Sequence, residues 1–115
     1  MIIKRLKDCL QGKAAFGNKR SPEWQTIRKH HLKSNPVCAA CGGTSTLEVH
    51  HIQPFHANPE LELNPANLIT LCESKSYGVV CHLHYGHLGN YKRINPDVVK
   101  DAALWKKKLL DSVLQ

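Results

Sequence analysis

Two cysteines separated by two residues, Cys38 and Cys41, are followed later in the chain by Cys72 and Cys81. A Cys-x-x-Cys turn lets both thiolates reach one ion, which makes it one half of a tetrahedral zinc site. Cys72 and Cys81 supply the other half if the residues between them, Glu73 to Val80, bulge out while their ends converge. The alternative is that one of this second pair is a core cysteine and a histidine completes the site. Cys9 stands apart and reads as a small buried apolar residue or a free thiol. The cysteine count is odd, and Met-Ile-Ile-Lys-Arg at the start has no apolar stretch behind it. Both features favour metal ligands in a reducing compartment over disulfides.

The second chemical group is imidazole. Eight histidines occur in 115 residues, clustered as His50-His51 and as His82, His84 and His87. Imidazole is a common metal ligand and also a general base poised near neutral pH. Adjacent residues on a strand point to opposite faces, so His50 and His51 cannot both ligate one ion on a regular strand. That favours a division of labour, in which one holds a metal and the other faces a water to be deprotonated.

Positioning these groups requires ordered elements. Ser21-Pro22-Glu23-Trp24 reads as a helix start, with Ser21 as cap and Pro22 at the first helical position. Trp24, Ile27 and His31 recur at helical spacing with Leu32 beside them, and Asn35-Pro36 ends the run. Residues 46–52 alternate and are rich in β-branched types, which predicts a strand; Asn67 to Cys72 predicts a second. Residues 54–66 carry three prolines and read as an irregular loop. Glu73–Val80 reads as a protruding loop, and Cys81 to about Leu88 as a short helix closed by Gly89-Asn90. Asn95-Pro96-Asp97 opens a final helix in which Val98, Ala102, Trp105 and Leu109 share a face, with Lys106, Lys107 and Lys108 near its end. The order helix, strand, strand, helix, helix predicts a small α+β domain over residues 21–115, preceded by a basic arm over 1–20.

Charge points to the class of partner. The net charge is +7, and residues 1–33 hold Lys4, Arg5, Lys7, Lys13, Lys19, Arg20, Arg28, Lys29 and Lys33 against only Asp8 and Glu23. The rest of the chain balances, so the excess is one-sided and suits a polyanion such as nucleic acid; the alternative is a merely soluble basic face. Apolar residues make up 42% and aromatics only 6%, a thin core that a metal would staple. No apolar run is long enough to span a membrane.

Taken together, Glu48-Val49-His50-His51-Ile52-Gln53-Pro54, then Asn67-Leu68-Ile69-Thr70-Leu71-Cys72, then Cys81-His82 resemble the HNH nuclease family, also called the ββα-metal nucleases. The likeness extends over residues 21 to about 90, including Arg20-Ser21-Pro22-Glu23-Trp24 and Asn35-Pro36-Val37-Cys38-Ala39-Ala40-Cys41-Gly42. Gly86-His87-Leu88-Gly89-Asn90 looks like a phage-type subgroup. The resemblance implies a ββα-metal core with a structural zinc on four cysteines. It implies His50 and His82 as ligands of a catalytic divalent ion (Mg²⁺, Mn²⁺, Ni²⁺ or Zn²⁺) and His51 as the general base. It also implies Asn67 as the residue that holds the His51 loop through the backbone.

His87 is a further candidate ligand. It lies five residues from His82, about 140° around an ideal helix of ~3.6 residues per turn, and reaches the same ion only if Gly86 breaks that helix. His84 reads as a solvated neighbour, His56 as a loop residue, and His30 and His31 as surface or packing residues. The expectation is a metal-dependent endonuclease acting on double-stranded DNA, in the cytoplasm of a bacterial or phage-infected cell, with a protein partner for targeting. A non-catalytic zinc-binding module that docks on nucleic acid is the alternative.

Overall fold

The computed structural model describes residues 21–114. The basic arm 1–20 and Cys9 lie outside the described residues. Helix α1 spans Trp24–Ser34, strand β1 Leu47–His51, strand β2 Leu68–Cys72, and helix α2 Val98–Leu114. Between β2 and α2 come a small hairpin, β3 (Lys75–Ser76) and β4 (Val79–Val80), and a π-helical turn, His82–Gly86. The result is the expected α+β domain.

β1 and β2 pair antiparallel in a register that sets His50 opposite Ile69 and Leu47 opposite Cys72. Every residue of β2 is buried, including Thr70, whose hydroxyl donates to Asn35 O at 3.0 Å. The connection between the strands, residues 52–67, is irregular apart from two short 3₁₀ turns at Pro59–Leu61 and Pro65–Asn67.

The core is built around the cysteines. Cys38, Ala40, Ile69, Leu71, Cys72, Cys81, Val98 and Ala102 form one buried cluster, with Tyr85 and Trp105 packed against it. Val98 and Ala102 are the inward stripe of α2, as the periodicity predicts. α1 contributes only half-buried residues, Trp24, Ile27, His31 and Leu32. An ion pair from Arg28 to Glu48 at 3.2 Å ties it to β1.

Four local expectations are corrected or refined. α1 begins at Trp24, two residues late, because Pro22-Glu23 form a turn in which Ser21 Oγ accepts from the Glu23 N–H at 3.1 Å. The protruding loop expected over Glu73–Val80 is built as a β-hairpin. Val79-Val80 pairs with Lys75-Ser76, and Tyr77 and Gly78 take φ of 52° and 80°, the left-handed pair that a tight two-residue hairpin needs. The expected helix after Cys81 is a π-helical turn. Lys106, Lys107 and Lys108 sit in the middle of α2 rather than near its end, because no proline or glycine stops the helix before Leu114. Among the described residues no helix is long and apolar enough to cross a membrane.

Candidate functional site

The four cysteines converge. The Cys38–Cys41 turn closes with the Cys38 N–H donating to Gly43 O and the Gly42 N–H to Cys38 O, with Gly42 at φ 74°. The Ala39 N–H donates to Thr70 O at 2.9 Å and so hangs this turn on β2. The β3–β4 hairpin returns the chain to its origin, and that return brings Cys81 back to Cys72. All four sulfurs lie within 4.8 Å of one another. Cys41 Sγ and Cys72 Sγ are 3.6 Å apart, close to the ~3.8 Å edge of a tetrahedron with Zn–S bonds of ~2.3 Å. Backbone N–H groups of Cys41 and Gly43 donate to the sulfurs of Cys38 and Cys41. The hydrogen bond from Cys81 pulls the Cys38 thiol down to about 4, and the same bond pushes Cys81 up. All four are free thiols in a cluster that could hold a metal, and the alternative in which a histidine completes the site is not the arrangement found.

A second cluster consists of His50, His82 and His87. His82 Nε2 lies 3.1 Å from His50 Nδ1 and 3.2 Å from His87 Nε2. The expected obstacle for His87 disappears because the chain from His82 to Gly86 is a π-helical turn. Its wider winding, with hydrogen bonds from i to i+5, sets residues five apart on one side. The turn ends where Leu88 and Gly89 both take positive φ. Gly86 lies under the imidazoles: a Cβ there would come within 3.0 Å of His50 Cε1 and 3.1 Å of His82 Cδ2.

The outward nitrogens of two rings are anchored. His82 Nδ1 bonds Glu73 Oε1, and His87 Nδ1 donates to Arg93 O at 2.9 Å. Anchoring the protons outward leaves the inward nitrogens as lone pairs. Lone pairs facing one another at about hydrogen-bond distance repel unless a cation lies among them, so this donor set fits a divalent metal. Burial first, then the neighbouring His82 and His87, lowers the His50 pKa to about 3, which keeps its ring neutral and able to donate electrons.

His51 faces elsewhere. Its ring stacks on Trp24 with centroids 4.5 Å apart, and its Nε2–H donates to Glu62 O at 2.9 Å. In that tautomer Nδ1 is the unprotonated nitrogen. Asn67 is buried and braces the turn after β1: Oδ1 accepts from the Gln53 N–H at 2.8 Å, while Nδ2 donates to Gln53 O and Leu61 O. His50, His51, His82 and His87 line one open cleft of about 260 Å³, together with Phe55, His56, Tyr91 and Arg93. His84 and His30 are exposed and His31 is half-buried, none of them in either cluster.

Sequence reasoning missed Glu73, Tyr91 and the Arg93 carbonyl. Tyr91 O–H donates to Glu73 Oε2 at 2.6 Å, and its ring packs on His82 and His87. No spacing rule joins residues 73, 82 and 91. The only hint is a carboxylate directly after a candidate ligand, Cys72.

Residues 38–87 match the family model described as HNH endonuclease. No curated protein and no solved structure matches the chain.

Proposed function

We propose, on the match of residues 38–87 to the HNH endonuclease family model, that the protein is a metal-dependent DNA endonuclease that hydrolyses phosphodiester bonds. The observation that carries the reading is the shared cleft. Three imidazoles converge there, two of them with an outward nitrogen anchored, beside a fourth whose proton is committed to a backbone carbonyl.

His51 is the general base. Its Nε2–H stays on Glu62 O, so Nδ1 takes the proton of the attacking water, and the carbonyl then supports the imidazolium that forms. The water oxygen bonds to phosphorus as the bond to the 3′-oxygen breaks, and the leaving oxygen takes a proton from solvent, giving 5′-phosphate and 3′-hydroxyl ends. A neutral imidazole can do this at pH 7, where Lys or Arg cannot. Asn67 holds the Gln53 peptide and the Leu61 carbonyl, and so fixes both the chain leaving His51 and the chain approaching Glu62. His50, His82 and His87 would hold the divalent ion, which supplies Lewis-acid stabilisation of the charge on the phosphoryl and leaving oxygens. The four cysteines would hold a structural zinc in the core. The N-terminal basic residues supply phosphate contacts to double-stranded DNA, and a protein partner supplies targeting. The expected setting is the cytoplasm of a bacterial or phage-infected cell, which the phage-type run at 86–90 supports.

The test is nicking of supercoiled plasmid with Ni²⁺, Mn²⁺, Zn²⁺ or Mg²⁺. His51→Ala should keep metal and fold and lose about 10²–10⁴-fold in rate. Undiminished nicking would remove His51 as the base. DNA binding by the wild type without nicking in any metal would leave the second reading, a zinc-stapled nucleic-acid-binding module, which the cysteine-centred core also supports.

A further inference from the structure

Glu73 and Tyr91 have no part in the mechanism above, yet between them they touch His82 and His87 from outside the cluster. Glu73 follows Cys72 at the end of β2, and its N–H donates to Thr46 O at 2.8 Å, which fixes its backbone. One carboxylate oxygen meets His82 Nδ1, and the other accepts from Tyr91 O–H at 2.6 Å. Each oxygen is therefore engaged, and the carboxylate plane is set. Tyr91 is itself held by the turn that follows the π-helical segment. There the Lys92 N–H donates to Asn90 Oδ1, the Arg93 N–H donates to Asn90 O, and Arg93 O accepts from His87. That turn lies beyond the family-matched residues 38–87.

The consequence concerns which nitrogen of His82 carries the proton. A free neutral histidine side chain favours the proton on Nε2. In His82 that proton would point at His50 Nδ1 and His87 Nε2 and block the lone pair that a cation needs. A carboxylate on Nδ1 reverses the preference. The hydrogen bond from Tyr91 acts on the same group: it holds the second carboxylate oxygen and so keeps the first turned to His82 Nδ1.

We propose that Glu73 and Tyr91 form a positioning pair that locks His82 in its Nδ1–H tautomer and so presents its Nε2 lone pair to the cluster. The pair makes the affinity of the three-imidazole site depend on a segment outside the matched domain. The inference rests on reading His50, His82 and His87 as a metal site, and its test separates the two claims.

The first measurement uses the full chain with its cysteine site loaded with zinc, titrated with Ni²⁺ by calorimetry. Wild type should take one further equivalent. Glu73→Ala should weaken that binding about 10–100-fold, the range for loss of an outer partner of a ligating histidine. Glu73→Gln keeps an oxygen acceptor for Nδ1–H and should recover most of the loss, and Tyr91→Phe should weaken binding less than Glu73→Ala. The second measurement is long-range ¹H–¹⁵N NMR at neutral pH of protein with zinc at the cysteines and no Ni²⁺ added. His82 should appear as the Nδ1–H form in wild type and shift towards Nε2–H in Glu73→Ala, with His51 unchanged as an internal control. A Glu73→Ala protein with wild-type affinity and an unaltered His82 tautomer would overturn the proposal. If the wild type bound no further Ni²⁺, or if His82→Ala bound it equally well, the metal-site reading would fall. The NMR arm would then decide the tautomer claim alone.

Discussion

His82 and His87 bring their Nε2 atoms within 3.2 Å although five residues separate them, a separation that a regular α-helix turns into opposed directions. The π-helical turn provides the extra winding, and Gly86, the buried residue between them, provides the room. Gly86→Ala should therefore strike the cluster selectively. Its Cβ meets the rings of His50 and His82, while its own backbone is not in the left-handed region. The expected outcome is loss of Ni²⁺ binding by at least tenfold, with zinc at the cysteines and the circular dichroism spectrum retained.

Metal preference follows from the donor set. Three imidazole nitrogens and no carboxylate in the cluster suit Ni²⁺ and Zn²⁺, whereas Mg²⁺ seeks oxygen ligands and keeps its waters. Competition titrations should rank Ni²⁺ and Zn²⁺ well ahead of Mg²⁺. Equal affinity for Mg²⁺ would mean that oxygen donors complete the site.

The cysteine cluster should behave as structure rather than chemistry. Cys38, Cys72 and Cys81 lie in the centre of the core, so a zinc joining them would hold the core together and its loss would expose it. Cys41→Ser is expected to lower bound zinc and the melting temperature together. The melting temperature should fall by about 4–8 °C for each kcal/mol lost in a domain of this size. Full zinc content in that variant would exclude Cys41 as a ligand.

Asn67 pairs three backbone groups of the connection between β1 and β2, of which Leu61 O also accepts from the Asn64 N–H at 3.2 Å. Asn67→Ala removes this partner from the Gln53 N–H and Gln53 O, at a cost of about 1–3 kcal/mol for each one that water cannot reach. Asn67→Asp should rescue only the Gln53 N–H, since a carboxylate cannot donate to Gln53 O or Leu61 O. Urea unfolding of the two variants would measure both losses, and plasmid nicking should fall with them as His51 loses its anchored setting.

Acid should destabilise the metal-free protein. His50, held near pKa 3 by burial and its imidazole neighbours, stays neutral in the fold while the unfolded chain protonates it near 6.5. Below 6.5 the unfolded state binds more protons, so stability falls as pH drops from about 6.5 to about 3 and levels off beneath that. His31 and His87, both lowered chiefly by burial, add in the same direction. Chemical denaturation of chelated protein across that range would show the slope. The effect should shrink in His50→Phe.

The parts of this architecture visible in the sequence are those governed by neighbours in the chain. The two strands were legible because alternation and β-branching are local, and the inward face of α2 because Val98 and Ala102 keep helical spacing. The four cysteines could be grouped from their number and spacing, and His50 could be separated from His51 by strand geometry alone. His87 could be judged only conditionally, since no propensity distinguishes a π-helical turn from an α-helical one in Cys81 to Leu88. Its winding is set by Gly86 packing under His50, a contact across 36 positions. Glu73 and Tyr91 were invisible for the same reason: their link to His82 exists only after β2 and the post-helical turn have met.

The β3–β4 hairpin separates two thiols of one cluster, yet it leaves and rejoins the core at adjacent points. A closed detour of this kind can grow or shrink by matched pairs of residues without shifting Cys72 or Cys81. Its tip, with Tyr77 largely exposed, is thus a natural port for grafting a reporter peptide or for lineage-to-lineage variation in length, with the ligand frame left untouched.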